Sequence, residues 1–340
     1  MREEEPPAAA QDAPAGTDAE RDSRAGATAG VERGARGILG APGPGDVPNT
    51  LSAERYLAWL YTPASQQHVF ALLCEIESEI AGSLRAGIDH QVAHARLQWW
   101  SEECERTAQG RAVHPLTREL VKASGDPSRL AGIRGFVDTA VWDLASATFE
   151  TRKELTAYCE RWATAMFETA APSGPAAALE STDAAPGGDG AERAARAASA
   201  AATRVRALGA AVRELEMLEN LALEAHGGRL RVPLDELERA GVDVHDLPKS
   251  PWPVALGPLL SKRHEALRAI IRDGVGAFGR EEQPGLRGLL VWGALAWRQS
   301  ARAQRALPGT IQPRRYDALA DGWQAWRAAR RATAGTLRLT

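Results

Sequence analysis

Long apolar runs are missing from this chain. No stretch of eighteen apolar residues occurs, and the best candidate, Leu286 to Trp297, is short and carries Arg287, so no membrane-spanning helix is expected. The opening, Met1-Arg2-Glu3-Glu4-Glu5-Pro6-Pro7, has no apolar core behind it, which predicts no cleaved secretory signal. An excess of one charge is lacking too. The formal net charge is −3, so nothing drives the whole chain towards nucleic acid or anionic lipid, although local basic patches stay open. Cysteine is scarce: Cys74, Cys104 and Cys159 fit no metal spacing and cannot all pair, which points to free thiols in a reducing cytosol. A soluble cytoplasmic protein, with peripheral membrane contact left open, is the expectation.

Several catalytic signatures are absent as well. His90 and His94 stand four apart, yet no carboxylate completes a zinc set around them or around His68 and His114, and no HExxH occurs. No glycine-rich phosphate loop follows a strand, and no serine-hydrolase elbow is present. No segment alternates apolar and polar residues with period two, β-branched residues are sparse, and no solenoid repeat recurs. An all-α fold follows.

What is present is a chain of 340 residues, enough to bury a full core. Residues 1–50, rich in Ala, Gly and Pro, read as a disordered arm that cannot bury enough apolar surface to offset its ordering entropy. Residues 51–333 read as one helical domain, interrupted by a flexible insertion over 172–190, and 334–340 as a tail. Ser52 caps a first helix that Pro63 interrupts. Helices are then expected over Ala64–Ala86, Ile88–Ala108, Pro115–Ser124, Ser128–Trp142, Thr151–Ala170 and Ala191–Ala225. Three more follow over Leu256–Phe278, Gly285–Ala306 and Pro313–Thr333.

The helix around Glu216 is apolar on several faces and so is expected to be central. Leu208, Val212, Leu215 and Ala222 make one stripe, Glu219 falls within it, and Glu216, Asn220 and Glu224 lie progressively further round. A carboxylate on such a stripe needs a partner, because an unpaired buried charge is expensive. Two partners stay open: an arginine, Arg213 or one from a neighbouring helix, or a cation held in a cavity. The second helix offers Glu75 and Glu79 four residues apart, with Glu77 on its apolar side. Two carboxylates at that spacing can share Mg²⁺ through oxygen ligands.

The chain resembles the squalene/phytoene synthase family of class I isoprenoid synthases, from about Tyr56 to Leu237. The resemblance rests on Tyr56-Leu57-Ala58-Trp59-Leu60-Tyr61-Thr62-Pro63, the run from Phe70 to Ile80, Arg96-Leu97-Gln98-Trp99-Trp100, His114-Pro115-Leu116, the run from Phe149 to Cys159, and Gly228-Arg229-Leu230-Arg231-Val232-Pro233, in that order. It implies an antiparallel helical bundle around a deep apolar cavity. Active members join two allylic diphosphates head to head; facing aspartate-rich motifs hold Mg²⁺, which ionises the diphosphate while the walls shelter a carbocation from water.

The acidic motifs depart from that pattern. Glu79 matches the first motif aspartate, but Ser83 stands four residues later; Glu219 stands where the family has arginine, and Asn220 and Glu224 where it has aspartates. The resemblance therefore assigns a candidate metal and diphosphate site to Glu75, Glu79, Glu216, Asn220 and Glu224. Arg96 and Arg229 are candidate diphosphate ligands, and Phe70, Trp99, Tyr158 and Leu215 candidate cavity wall. A branch of the family exemplified by a mitochondrial assembly factor for respiratory complex I has similarly eroded motifs, and the chain resembles it as much as the synthases. The expectation is a non-catalytic isoprenoid- or lipid-binding or assembly scaffold. The alternative is a Mg²⁺-dependent transferase condensing farnesyl or geranylgeranyl diphosphates. The Trp- and Arg-rich end, with Trp292, Trp297, Trp323 and Trp326 and arginines from Arg298 to Arg331, is expected to cover the bundle, meet a protein partner or lie on anionic lipid.

Overall fold

The computed structural model describes residues 51–85, 87–145, 148–172, 188–249, 251–307 and 317–340. The expected N-terminal arm, residues 173–187 of the insertion, Arg314, Arg315, and the helix boundaries at Ala86 and Pro313 lie outside the described residues. Among the described residues every regular element is helical. In chain order these are α1 (Ala53–Tyr61), α2 (Ala64–Gly82), α3 (His90–Ala108), α4 (Pro115–Ser124), a 3₁₀ turn (Pro127–Ile133), α5 (Arg134–Leu144) and α6 (Arg152–Ala163). Then come α7 (Gly188–Glu219), α8 (Leu221–His226), α9 (Leu234–Ala240), α10 (Leu256–Ala277), α11 (Arg287–Ala306) and α12 (Ala318–Thr333).

Local chemistry sets several of these boundaries. Ser52 Oγ accepts from the Arg55 amide at 3.4 Å, and the Asp89 carboxylate accepts from Gln91 and Val92 at 2.8 and 3.3 Å, satisfying amides that a helix start leaves over. Pro115 opens α4 at its first position, where its missing N–H costs nothing, and Gly125 closes it at φ +70°. The helix expected over Ser128–Trp142 divides into the 3₁₀ turn and α5, and the one expected from Thr151 widens into a π-helical turn at Thr164–Glu168. The central helix breaks at Asn220 (φ −101°), where its amide Nδ2 donates back to the Glu216 carbonyl at 2.9 Å. That is a local side-chain bond competing with the helical ladder.

Helix α7 packs against α6, α10 and α11, while α11 also contacts α1, α10 and α12. Two glycines permit the closest approaches. A Cβ on Gly209 would lie 2.6 Å from the Phe167 ring, and one on Gly288 would lie 2.0 Å from Thr62 Oγ1, at the crossing of α11 and α1. Between these helices the core is aromatic. Phe70, Trp162 and Phe167 surround Trp292 with ring centroids 5.8, 5.8 and 5.0 Å away, all four side chains being buried.

Candidate functional site

One end of this aromatic core carries the charges. From α1, Arg55 points over the rings of Trp162 and Trp292, at 5.5 and 5.1 Å from their centroids. Its guanidinium donates to both carboxylate oxygens of Glu77 on α2 and, through Nη2, to Glu216 Oε2 on α7 at 3.3 Å. The Trp162 indole donates to Glu77 Oε1 at 2.7 Å, and Arg213 donates to the same Glu216 oxygen at 3.2 Å. Three helices are thus stitched through two arginines and two carboxylates.

A second set adjoins it. Arg231, 3% exposed, donates to Asp143 Oδ1 at 2.7 Å and to Glu224 Oε2 at 2.9 and 3.2 Å. Arg229 reaches Glu224 at 3.8 Å, and the Tyr158 hydroxyl donates to Asp143 at 3.1 Å beneath the Arg231 guanidinium. Beside it, Glu214 is almost fully buried between Arg152 and Arg263.

Mutual neutralisation governs protonation. Burial alone pushes the Arg55 guanidinium down, but Glu77 and Glu216 outweigh it and hold Arg55 above the usual arginine range. Burial pushes the Glu77 carboxyl up; Arg55, Arg213 and the donors of Arg55 and Trp162 win, and it stays below the usual carboxylate range. Arg231 is raised in the same way against its burial, by Tyr158, Asp143 and Glu224. Burial pushes the Cys74 and Cys159 thiols up, which disfavours the thiolate form.

The network borders a cavity of about 300 Å³ lined by Arg55, Arg213, Leu215, Glu216, Glu219, Asn220, Glu224, Arg231 and Trp292, among others. The structure therefore gathers Glu216, Asn220, Glu224 and Leu215 at one cavity, with Arg229 and Tyr158 against its edge. It places Glu79, Arg96 and Trp99 at exposed positions on α2 and α3, Glu75 half-buried on α2, and Phe70 inside the aromatic core. On α2, Glu77 shares Arg55 with Glu216 of α7. On α7, Glu216 pairs with Arg213 and with Arg55. Arg231 lies in a stretch that carries the family resemblance but is not singled out there, and Asp143 carries no sequence signal; their pairing beside Tyr158 singles them out.

Mg²⁺ needs a near-octahedral shell of oxygens at about 2.0–2.1 Å. The donor set does not offer one as arranged, since the Glu77, Glu216, Glu224 and Asp143 carboxylates all take guanidinium hydrogen bonds and the Asn220 amide faces its own helix. Among the described residues no three Asp, Glu, His or Cys side chains converge so as to hold a metal ion.

Solved structures share the architecture. A dehydrosqualene synthase crystallised in complex with ligand superposes with a TM-score of 0.64 at 13% identity, over 82% of this chain and 91% of that one. Squalene synthase HpnC from Alicyclobacillus acidocaldarius superposes with a TM-score of 0.55 at 15% identity, over 76% and 90%. At these identities the likeness is one of fold, an all-α isoprenoid-synthase bundle. No curated protein matches the sequence. The family model described as Squalene/phytoene synthase matches residues 49–322, most of the chain and all of the charged network, and the chain belongs to that family.

Proposed function

We propose that this protein is a non-catalytic family member that keeps the bundle as an isoprenoid- or lipid-binding or assembly scaffold. The observation that carries the reading is the pairing of Glu77 and Glu216 with Arg55, extended by Arg231 on Glu224 and Asp143. A cation entering the cavity would have to displace guanidinium groups from carboxylates already at hydrogen-bond distance. Breaking a buried pair from one side typically costs about 3–5 kcal/mol. Beneath the network the aromatic side chains are in ring contact, and a cavity of about 300 Å³ is at the low end of ligand-sized pockets. A headgroup fits that volume better than two prenyl chains.

One observation favours the other reading, a Mg²⁺-dependent head-to-head prenyl transferase. The cavity is lined by Glu216, Asn220 and Glu224 beside three arginines, and the buried Arg213 Nε has no hydrogen-bond partner. Melting across a grid of Mg²⁺ and inorganic pyrophosphate separates the two. Ligands that bind the native state cooperatively stabilise more together than the sum of each alone. No such coupling is expected, and none from farnesyl or geranylgeranyl diphosphate with Mg²⁺ and a reductant. A cyclopropyl diphosphate or hydrocarbon product that disappears in Glu224→Ala would overturn the scaffold assignment.

A further inference from the structure

Helix α12 is built the wrong way round for a helix that only closes a bundle. Its buried face is Asp321 and four alanines, Ala325, Ala328, Ala329 and Ala332, packed towards α11 and α1. Its large apolar side chains point outward: Leu319 is 87%, Trp323 55% and Trp326 37% exposed. Leu319, Trp323, Trp326 and Arg330 follow one another at four-, three- and four-residue steps, so they share one face of the helix. Along it the two indoles stack at 4.7 Å and the Arg330 guanidinium lies 5.0 Å from the Trp326 ring.

A flank of this stripe is cationic. Exposed Arg327 and Arg331 join Arg298 and Arg338 around a pocket of about 220 Å³ between α11, α12 and the residues after α12. Neither Arg327 nor Arg331 enters an ion pair among the described residues; the nearby Asp321 is buried and takes Arg302. Burial and the neighbouring Arg302, only partly offset by Asp321, lower the Arg298 pKa, with Arg305 and Arg327 adding to the effect. Four arginines around one pocket, with the buried Asp321 engaged by Arg302, leave a local excess of positive charge that suits an anion.

We propose that the outward face of α12 docks on an anionic lipid bilayer, with Trp323 and Trp326 at headgroup depth and the arginine pocket receiving a lipid phosphate. Tryptophan favours that depth because its ring is apolar and its N–H wet, and arginine beside it meets phosphate bidentately. No helix among the described residues is long and apolar enough to cross a membrane, so the contact is one of lying on the surface. The family match ends at residue 322, inside α12 and before Trp323 and Trp326. The contact stands independently of whether the cavity is catalytic.

Sedimentation of the full-length protein with phosphatidylcholine vesicles, with and without about a third phosphatidylglycerol, tests this. Binding is expected to the anionic vesicles only and to weaken with salt. Arg327→Gln with Arg331→Gln should lower the partition coefficient about tenfold or more, because each basic residue near such a surface contributes on the order of 1 kcal/mol. Trp323→Ala with Trp326→Ala should abolish binding while leaving the melting temperature near that of the parent. Brominated lipid quenching only the parent's tryptophan emission would support the same contact without relying on a variant. Vesicle binding unaffected by the Trp pair would overturn the proposal. So would a dimer that the Trp pair disperses, which gives the face to a second copy, or an arginine-dependent response to inorganic phosphate with no vesicle binding.

Discussion

At the cavity, Arg55, Arg213 and Arg231 lie half or fully buried among Glu77, Glu216, Glu224 and Asp143; along α12, Arg327 and Arg331 are exposed and enter no ion pair among the described residues. The residue type is the same and its use is opposite. Buried arginines matched to acids hold helices in place and leave little charge to attract a ligand. Arginines without acids contribute little to the fold and leave a field directed outward. Local accounting of acid against base therefore separates structural from recognition arginines where the net charge of −3 is silent.

Removing one buried cation strains the contrast most. Arg55→Met leaves Glu77 with only the Trp162 donor, and a loss of about 3–5 kcal/mol is expected in denaturant melts. Adding Glu77→Met should restore most of it. A double variant no more stable than the single one would show that the ion pair is not what anchors α1.

A buried base without any acid gives the converse case. His264 on α10 bonds Ser300 Oγ at 2.9 Å, and burial, aided by Arg268, depresses its pKa from 6.5 to about 4. The unfolded chain takes up this proton first, so stability should fall as pH drops from about 6.5 towards about 4, by up to roughly 3 kcal/mol at 1.36 kcal/mol per unit. His264→Gln should flatten that part of the profile. Below the usual glutamate range Glu77 and Glu103, both held low, add their own acid loss.

Geometry can be perturbed in place of charge. Gly288→Ala drives a methyl to 2.0 Å from Thr62 Oγ1 and 2.8 Å from the Ala58 carbonyl, and overpacking of this kind costs about 1–3 kcal/mol. The resulting displacement of α1 should loosen the Arg55 network while vesicle binding by α12 persists. The smallest effect on the fold is expected from Trp323→Ala with Trp326→Ala, within about 0.5 kcal/mol per site in melts because both rings are exposed. A larger loss would mean that the stripe supports the bundle.

The helices were legible because their signals are local: Ser52 as a cap, Pro63 as a break, Pro115 as an opener. The short helix Leu234–Ala240, too brief for periodicity to register, was not, nor was the break at Asn220, which a single side-chain bond decides. Glu216, Asn220 and Glu224, which line the cavity, stand out in the sequence by four-residue spacing in a run expected as one helix, although the structure divides them between α7, the break and α8. Their partners do not, since Arg55 lies 161 residues before Glu216, and Asp143 lies 88 before Arg231. Spacing along one helix says which groups share a face. It says nothing of the face opposite, so Glu79 and Glu77 on α2 could not be ranked until α1 and α7 were in place.

The position of α1 has a consequence for how the molecule is made. Glu77 and Gln67 tie α1 to α2, but its nine residues pack mostly on α11 and α12 and take further bonds from groups far later in the chain: Glu216, Gln299 on Glu54, and Arg287 on the Tyr61 carbonyl. During synthesis from the amino end this segment emerges early and waits for most of the chain before its binding surface exists. Its docking becomes a late, completing step, and the ion pairs that close over it report that the carboxyl-terminal half has arrived. Hydrogen exchange on a chain ending at residue 280 should find α1 unprotected while the amides of α2 and α3 exchange more slowly.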